Sequence, residues 1–151
     1  MTGSDTAANN AFFNLLGRLR PEIDRRIGDR YDAVIKRARE HDPMLTAMVE
    51  AARELALRGG KRLRAGLIAA GWIAAGGDTD FDAPIDGGVA FELLQTYLLI
   101  QDDWMDGDLT RRGGPSVHAA LTRTFDDERR GASSAILASD LTWGLSVETL
   151  L

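Results

Sequence analysis

Residues 85–106 read IDGGVAFELLQTYLLIQDDWMD, and the spacing of their apolar members decides the fold class. Val89, Ala90, Leu93, Leu94, Tyr97, Leu98, Ile100 and Met105 recur at intervals of three and four, the mark of an α-helix. That helix ends on three carboxylates within five positions, Asp102, Asp103 and Asp106, and Arg111 and Arg112 follow in the next loop. Asp102 and Asp106 share one helical face, about 6 Å apart along the axis and about 40° apart in rotation. Two carboxylates at that separation repel by roughly 2–3 kcal/mol at an effective dielectric of about 20, and the negative helix end adds roughly 0.3–1 kcal/mol per charge. A bound cation removes the penalty. Oxygen-only ligands suit Mg2+, which binds through one or two carboxylates plus water and phosphate oxygens. The pairing with arginines therefore points to a metal-bound diphosphate, with a solvated acidic helix end as the alternative.

The rest of the chain is helical in pattern too, and no segment alternates apolar and polar residues as a half-buried strand does. An all-α fold is expected. The first ten residues are small and polar and are expected to form a loose tail. Helices are predicted from Ala11 to Arg18, from Pro21 through Ile23, Ile27, Tyr31, Val34, Ile35 and Ala38, and from Met44 to Leu57, where Gly59 and Gly60 close the third. A fourth begins near Lys61 and ends before Gly76. Asp78, Asp80 and Asp82 in the loop over 77–84 read as turn and cap residues. After the long helix over 85–106, Gly113, Gly114 and Pro115 punctuate a loop, a short helix covers 116–125, and a last one covers 132–151. It stops on Leu150 and Leu151 without a cap, so the architecture is expected to continue beyond them. No internal repeat or low-complexity segment is evident.

Composition narrows the function. With 151 residues and 44% hydrophobic content the chain has the size and core of one domain. Its 23 acidic and 18 basic residues give a net charge of −5, against a nucleic-acid binder. Cysteine is absent, which excludes thiolate catalysis and Cys-ligated zinc. There is no secretory signal pattern, and the weakly polar stretch 65–77 is too short and glycine-rich to span a bilayer. A soluble, cytoplasmic protein is expected.

Two further groups carry chemistry. Glu92, Gln95, Asp102 and Asp106 fall at steps of three, seven and four on the long helix, a polar line whose members need partners if buried. For Glu92, interhelical hydrogen bonding is the favoured role. Gly59, Gly60, Lys61, Arg62, Leu63 and Arg64 lie at a helix junction, where Lys61 and Arg64 project to one side and the glycines let backbone approach an anion. The spacing is not that of a P-loop, and a helix cap followed by solvated basic residues would look the same. Asp126, Asp127 and Glu128, followed by Arg129 and Arg130, read as a self-compensated turn. An EF-hand register beginning at Asp102 fails at Trp104 and Gly113.

In order along the chain, Gly59 to Arg64, Asp102 to Asp106, and Arg111, Arg112, Gly113 and Pro115 closely resemble the motifs of the trans-isoprenyl diphosphate synthases, or polyprenyl synthetases. The resemblance runs from about Met44 onward and includes 136–141, with Ser139 where a glycine is usual. It implies an all-α bundle of the isoprenoid synthase type, here the N-terminal part over 11–151 with the C-terminal half absent. It implies a prenyltransferase that joins an allylic diphosphate to isopentenyl diphosphate by Mg2+-assisted ionisation, alkene attack and proton loss. By position, Asp102, Asp103 and Asp106 form the first aspartate-rich motif, with Asp102 and Asp106 as the Mg2+ ligands. Arg111 would bind the allylic diphosphate; Gly60, Lys61, Arg64, Gln95 and Arg112 would hold isopentenyl diphosphate, with His118 nearby. Tyr97 and Leu98 would bear on product length, favouring geranylgeranyl over farnesyl diphosphate, although core packing also explains Tyr97. Family analogy favours a homodimer, and the absence of the family's second aspartate-rich motif points to a complementary C-terminal half, without which the chain is expected to be weakly active or inactive. A non-catalytic diphosphate-binding or interaction module is the alternative.

Overall fold

A long buried stripe fixes the first element. Leu16, Leu19, Ile23, Ile27, Tyr31, Ile35 and Ala38 follow one another at steps of three and four, and all are buried. The computed structural model describes residues 3–78 and 80–151, and its first helix, α1, spans Gly3–Arg39. It runs through residues 3–10 of the expected tail and through the expected start at Pro21; residues 1 and 2 of that tail lie outside the described residues. Proline inside a helix forfeits the bond to the i−4 carbonyl, here that of Gly17. Both residues are exposed, so water can serve that carbonyl, and the stripe on the opposite side remains continuous.

The remaining helices are α2 (Pro43–Leu57), α3 (Leu63–Ala74), α4 (Asp82–Asp106), α5 (Val117–Phe125) and α6 (Glu128–Leu150). Asp42 caps α2, accepting from the Met44 and Leu45 amides, and Asp127 caps α6, accepting from the Arg130 amide at 2.9 Å. Asp127 thus has a definite role within a run expected to be only a solvated turn. In the loop before α4, Asp78 accepts from the Asp80 amide and Asp80 from the Asp82 amide, as turn residues should. No helix among the described residues is long and apolar enough to cross a membrane.

The core centres on α4, which packs against α6, α3 and α1. Val89, Leu93 and Ile100 of α4 are wholly buried against Tyr31, Val49, Leu55, Ala135 and Ala138. Gly88 lets α3 come close, since a Cβ there would lie 2.8 Å from that of Ala65. Buried polar groups are paired across helices. The Tyr31 hydroxyl meets Thr142 Oγ1 at 2.9 Å, and Ser146 donates to the Ala90 carbonyl. Phe91, Leu98 and Met105 stay exposed on the α4 face that also carries Asp102 and Asp106.

One element departs from the all-α expectation. Two-residue strands β1 (Thr110–Arg111) and β2 (Gly114–Pro115) pair antiparallel, with Thr110 opposite Pro115 and Arg111 opposite Gly114. Arg112 and Gly113 form the connecting turn with φ of 52° and 77°, the double positive φ of a type I′ hairpin. Strands this short leave no alternation to read.

Candidate functional site

At the end of α4 the three aspartates separate. Asp102 and Asp106 are exposed on one face, whereas Asp103 is wholly buried. Arg111 Nε donates to Asp103 Oδ1 at 2.6 Å, and its Nη2 reaches Asp103, Asp108 Oδ2 at 3.1 Å and, marginally, Asp102 Oδ2 at 3.5 Å. Gly107, at φ 71°, ends α4 and turns the chain so that the Asp108 amide bonds back to the Asp103 carbonyl. Burial pushes the Asp103 carboxyl up, and Arg111 opposes that shift; the guanidinium of Arg111 is itself raised, chiefly by Asp103. Asp103 therefore anchors an arginine, and Asp102 and Asp106 remain open to solvent.

The basic group is built on the turn between α2 and α3. Gly59 and Gly60 take φ of 71° and 110°, and Arg62 takes 52°. Helix α3 begins only at Leu63, so Lys61 lies on the turn before it and the expected helical spacing to Arg64 does not apply. Lys61 and Arg64 are both exposed. Arg112 reaches across from the hairpin, donating to the Gly59 carbonyl at 3.3 Å, with its guanidinium where a Gly60 Cβ would touch it at 3.3 Å. Burial lowers its affinity for a proton, followed by repulsion from Arg62, Arg111 and Arg64, with Glu92 opposing. Arg112 thus sits in a field of excess positive charge that an anion would relieve.

The hairpin joins the two groups, since Arg111 serves the acidic side and Arg112 the basic side. Arg58 holds it against α2 by donating to the Arg111 and Pro115 carbonyls at 3.1 and 2.8 Å. Gln95 is half-buried on the open face of α4, two turns before Asp102. Leu98 lies on that face too, about 40° round from Asp102, and is exposed; Tyr97 is half-buried and about 140° round. His118 accompanies neither group. It bonds to Ser116 and lines a separate pocket of about 820 Å³ with Trp104, Leu109, Pro115 and Thr122.

Asp102 and Asp106 are one helical turn apart, exposed, and oxygen donors only. Among the described residues no three Asp, Glu or His side chains converge on one point, so a cation here would complete its shell with water and ligand oxygens. That donor set fits Mg2+ bound together with a diphosphate.

A sequence model of the family described as Polyprenyl synthetase matches residues 46–151. The chain belongs to that family. Among its relatives, the short chain isoprenyl diphosphate synthase of Methanothermobacter thermautotrophicus is 35% identical over 104 residues, covering 69% of this chain and 29% of that protein. The geranylgeranyl diphosphate synthase of Mycobacterium tuberculosis is 37% identical over 91 residues, covering 60% and 23%. The geranylgeranyl pyrophosphate synthase of Corynebacterium glutamicum, solved with isoprenyl diphosphate and magnesium, superposes with a TM-score of 0.70 at 28% identity, covering 85% of this chain and 40% of that one. The chain thus spans about a third of the length of the curated relatives it matches.

Arg58 and Asp108, which the sequence motifs did not single out, and Arg62, which lies inside the glycine-led motif without an assigned role, organise the candidate site. Arg58 carries the hairpin, and Arg62 and Asp108 each hold an ion pair of the two clusters. Glu92 adopts the interhelical role expected of it, pairing with Arg62. Ser139 is buried and links α6 to Gln101 of α4 at 3.2 Å. Asp103 could have been separated from its neighbours by register alone, since Val89, Leu93, Thr96, Ile100 and Asp103 follow steps of four and three and all are buried.

Proposed function

We propose that this chain provides the diphosphate-binding wall of a short-chain trans-prenyltransferase, which condenses an allylic diphosphate with isopentenyl diphosphate to geranylgeranyl or farnesyl diphosphate. The observation that carries it is one hairpin presenting Arg111 to the acidic end of α4, at Asp103, Asp108 and marginally Asp102, and Arg112 to a basic turn. Asp102 and Asp106 would hold Mg2+, which would supply charge neutralisation to the departing diphosphate. Arg111, kept in place by Asp103, adds fixed positive charge on the same side. Lys61, Arg64 and Arg112 hold the second diphosphate by charge-assisted hydrogen bonds, and Gly60 brings backbone beside it. Gln95, half-buried on the same face of α4 as Asp102, orients the homoallylic partner. The exposed apolar side chains of that face, Leu98 among them, shelter the allylic chain from water when covered.

Radiolabelled isopentenyl diphosphate with geranyl or farnesyl diphosphate and Mg2+ tests the reading. Product formation that disappears in Asp102→Ala supports it; Mg2+-dependent allylic diphosphate affinity unchanged in that variant refutes the acidic site. A second reading is favoured by the presence of only two exposed carboxylates at the metal position. On it, the chain binds diphosphate but turns over only with a second copy or a complementary chain covering the open face of α4. Robust turnover by the isolated 151-residue chain under conditions where it is monomeric refutes this one.

A further inference from the structure

The turn that carries Gly59, Gly60 and Lys61 ends on Arg62, which faces away from solvent. Its side chain is 1% exposed, and its backbone is left-handed at the N-cap of α3 without making a side-chain cap bond. The guanidinium is used elsewhere, on three elements at once. Nε donates to Asp24 Oδ1 of α1 at 2.7 Å, Nη2 to the Ala56 carbonyl in the last turn of α2 at 2.8 Å, and Nη1 to Glu92 Oε2 of α4 at 3.3 Å. Glu92 is itself buried, and its second oxygen has no partner among the described residues.

We propose that Arg62 is a positioning residue of the diphosphate site, fixing through Asp24, Ala56 and Glu92 the turn that sets Lys61 and Arg64 outward beside Arg112. The assignment rests on reading that cluster as a diphosphate site. Lys61 and Arg64 flank Arg62 at one and two positions, so a rotation of its backbone redirects both. A left-handed arginine does not persist unless its surroundings hold it, and the three acceptors do so from three different helices. Glu92 adds the counter-charge that lets Arg62 lie beneath Arg112 and Arg64 without a ligand present. Lysine cannot substitute, because a compact ammonium lacks the planar fork that reaches three separated acceptors.

The test titrates inorganic diphosphate into the purified chain by calorimetry without Mg2+, so that the acidic side takes no part. Lys61→Ala should weaken binding and thereby report the cluster. Arg62→Lys should weaken it about tenfold or more, the scale typical of residues that orient a ligand's direct partners, while melting stays cooperative. Combined, the two substitutions should cost less than the product of their separate effects, since Arg62 acts through Lys61 as well as Arg64. Wild-type affinity in folded Arg62→Lys, with Lys61→Ala impaired, overturns the positioning role and leaves the site standing. If Arg62→Lys does not fold, Asp24→Ala removes the more exposed leg of the fork; affinity reduced severalfold in that variant supports the role, and unchanged affinity overturns it. A wild-type chain that does not bind diphosphate refutes the site and the positioning role together.

Discussion

Gly60→Ala separates the energetics of the basic turn from those of its ligand. Gly60 has φ 110°, beyond the left-handed helical region near 57°, and other residues pay about 1–3 kcal/mol to adopt such a conformation. For a chain of this size each kcal/mol moves Tm by about 2–4 °C, so the variant should melt about 2–12 °C lower. The new methyl would also lie 3.3 Å from Arg112 Nη1, the flexible end of a side chain that yields by a few tenths of an ångström. Loss of one charge-assisted bond to diphosphate is worth about 1.5–3 kcal/mol, or roughly ten- to 150-fold in affinity. Gly59→Ala is the control. At φ 71° it carries about 1–2 kcal/mol of strain, but nothing lies within 4 Å of its Cβ, so Arg112 stays in place. Melting curves paired with diphosphate calorimetry should show similar destabilisation in the two variants and the larger affinity loss in Gly60→Ala. Equal affinity losses, or a Gly60→Ala variant with wild-type Tm and affinity, would refute the contact between the turn and Arg112.

Further outcomes follow from the frame around the site. Pro21→Ala restores an amide donor to the Gly17 carbonyl inside α1 and should stabilise the chain by about 1–3 kcal/mol, read as a higher Tm; no increase argues against an unbroken α1. Arg58→Ala removes two charged donors from the hairpin carbonyls and should cost about 2–4 kcal/mol, with faster amide exchange over 110–116; exchange at the wild-type rate would show that the hairpin holds itself. Glu22 is held at about 2 from the usual 4.5, by its hydrogen bonds to Arg25 first and Arg26 second. Because its folded value is depressed, it contributes stability above pH 4.5 that is lost as pH falls toward 2. An NMR titration of Glu22 with a midpoint near 4.5 would contradict the pairing, and Glu22→Gln should flatten that part of the acid limb.

The helices were legible because their apolar residues recur at three and four, and the α4 stripe is the clearest case. The Pro21 boundary was misplaced because a local rule favoured a helix start there, while burial of Leu16 and Leu19 in line with Ile23 favoured continuation. The hairpin was legible only as punctuation. Arg112 was legible as a phosphate-binding type of residue, but its place above Gly59 and Gly60 spans 53 positions of chain and leaves no local trace. The same holds for Arg62, whose partners Asp24 and Glu92 stand 38 and 30 positions away. In the sequence it is one of several basic residues after a glycine pair, and only the packing of α1 and α4 around the turn distinguishes it.

Asp102 and Asp103 make the limit sharper, since they are chemically identical neighbours with opposite surroundings. A helix turns 100° per residue, so adjacent side chains cannot both face one ligand while a core stripe lies between α4 and its neighbours. Counting from Val89 through Leu93, Thr96 and Ile100 places Asp103 in that stripe and leaves Asp102 and Asp106 outside it. A carboxylate in a buried register needs a cation from elsewhere in the chain, because an uncompensated buried charge costs several kcal/mol. The hairpin brings Arg111 for that purpose, and Gly107 supplies the turn that lets it return. Arg111 is thereby fixed beside exposed Asp102 by a bond that faces the core. The buried aspartate sets the position of the charge, and the exposed aspartates stay free for a ligand.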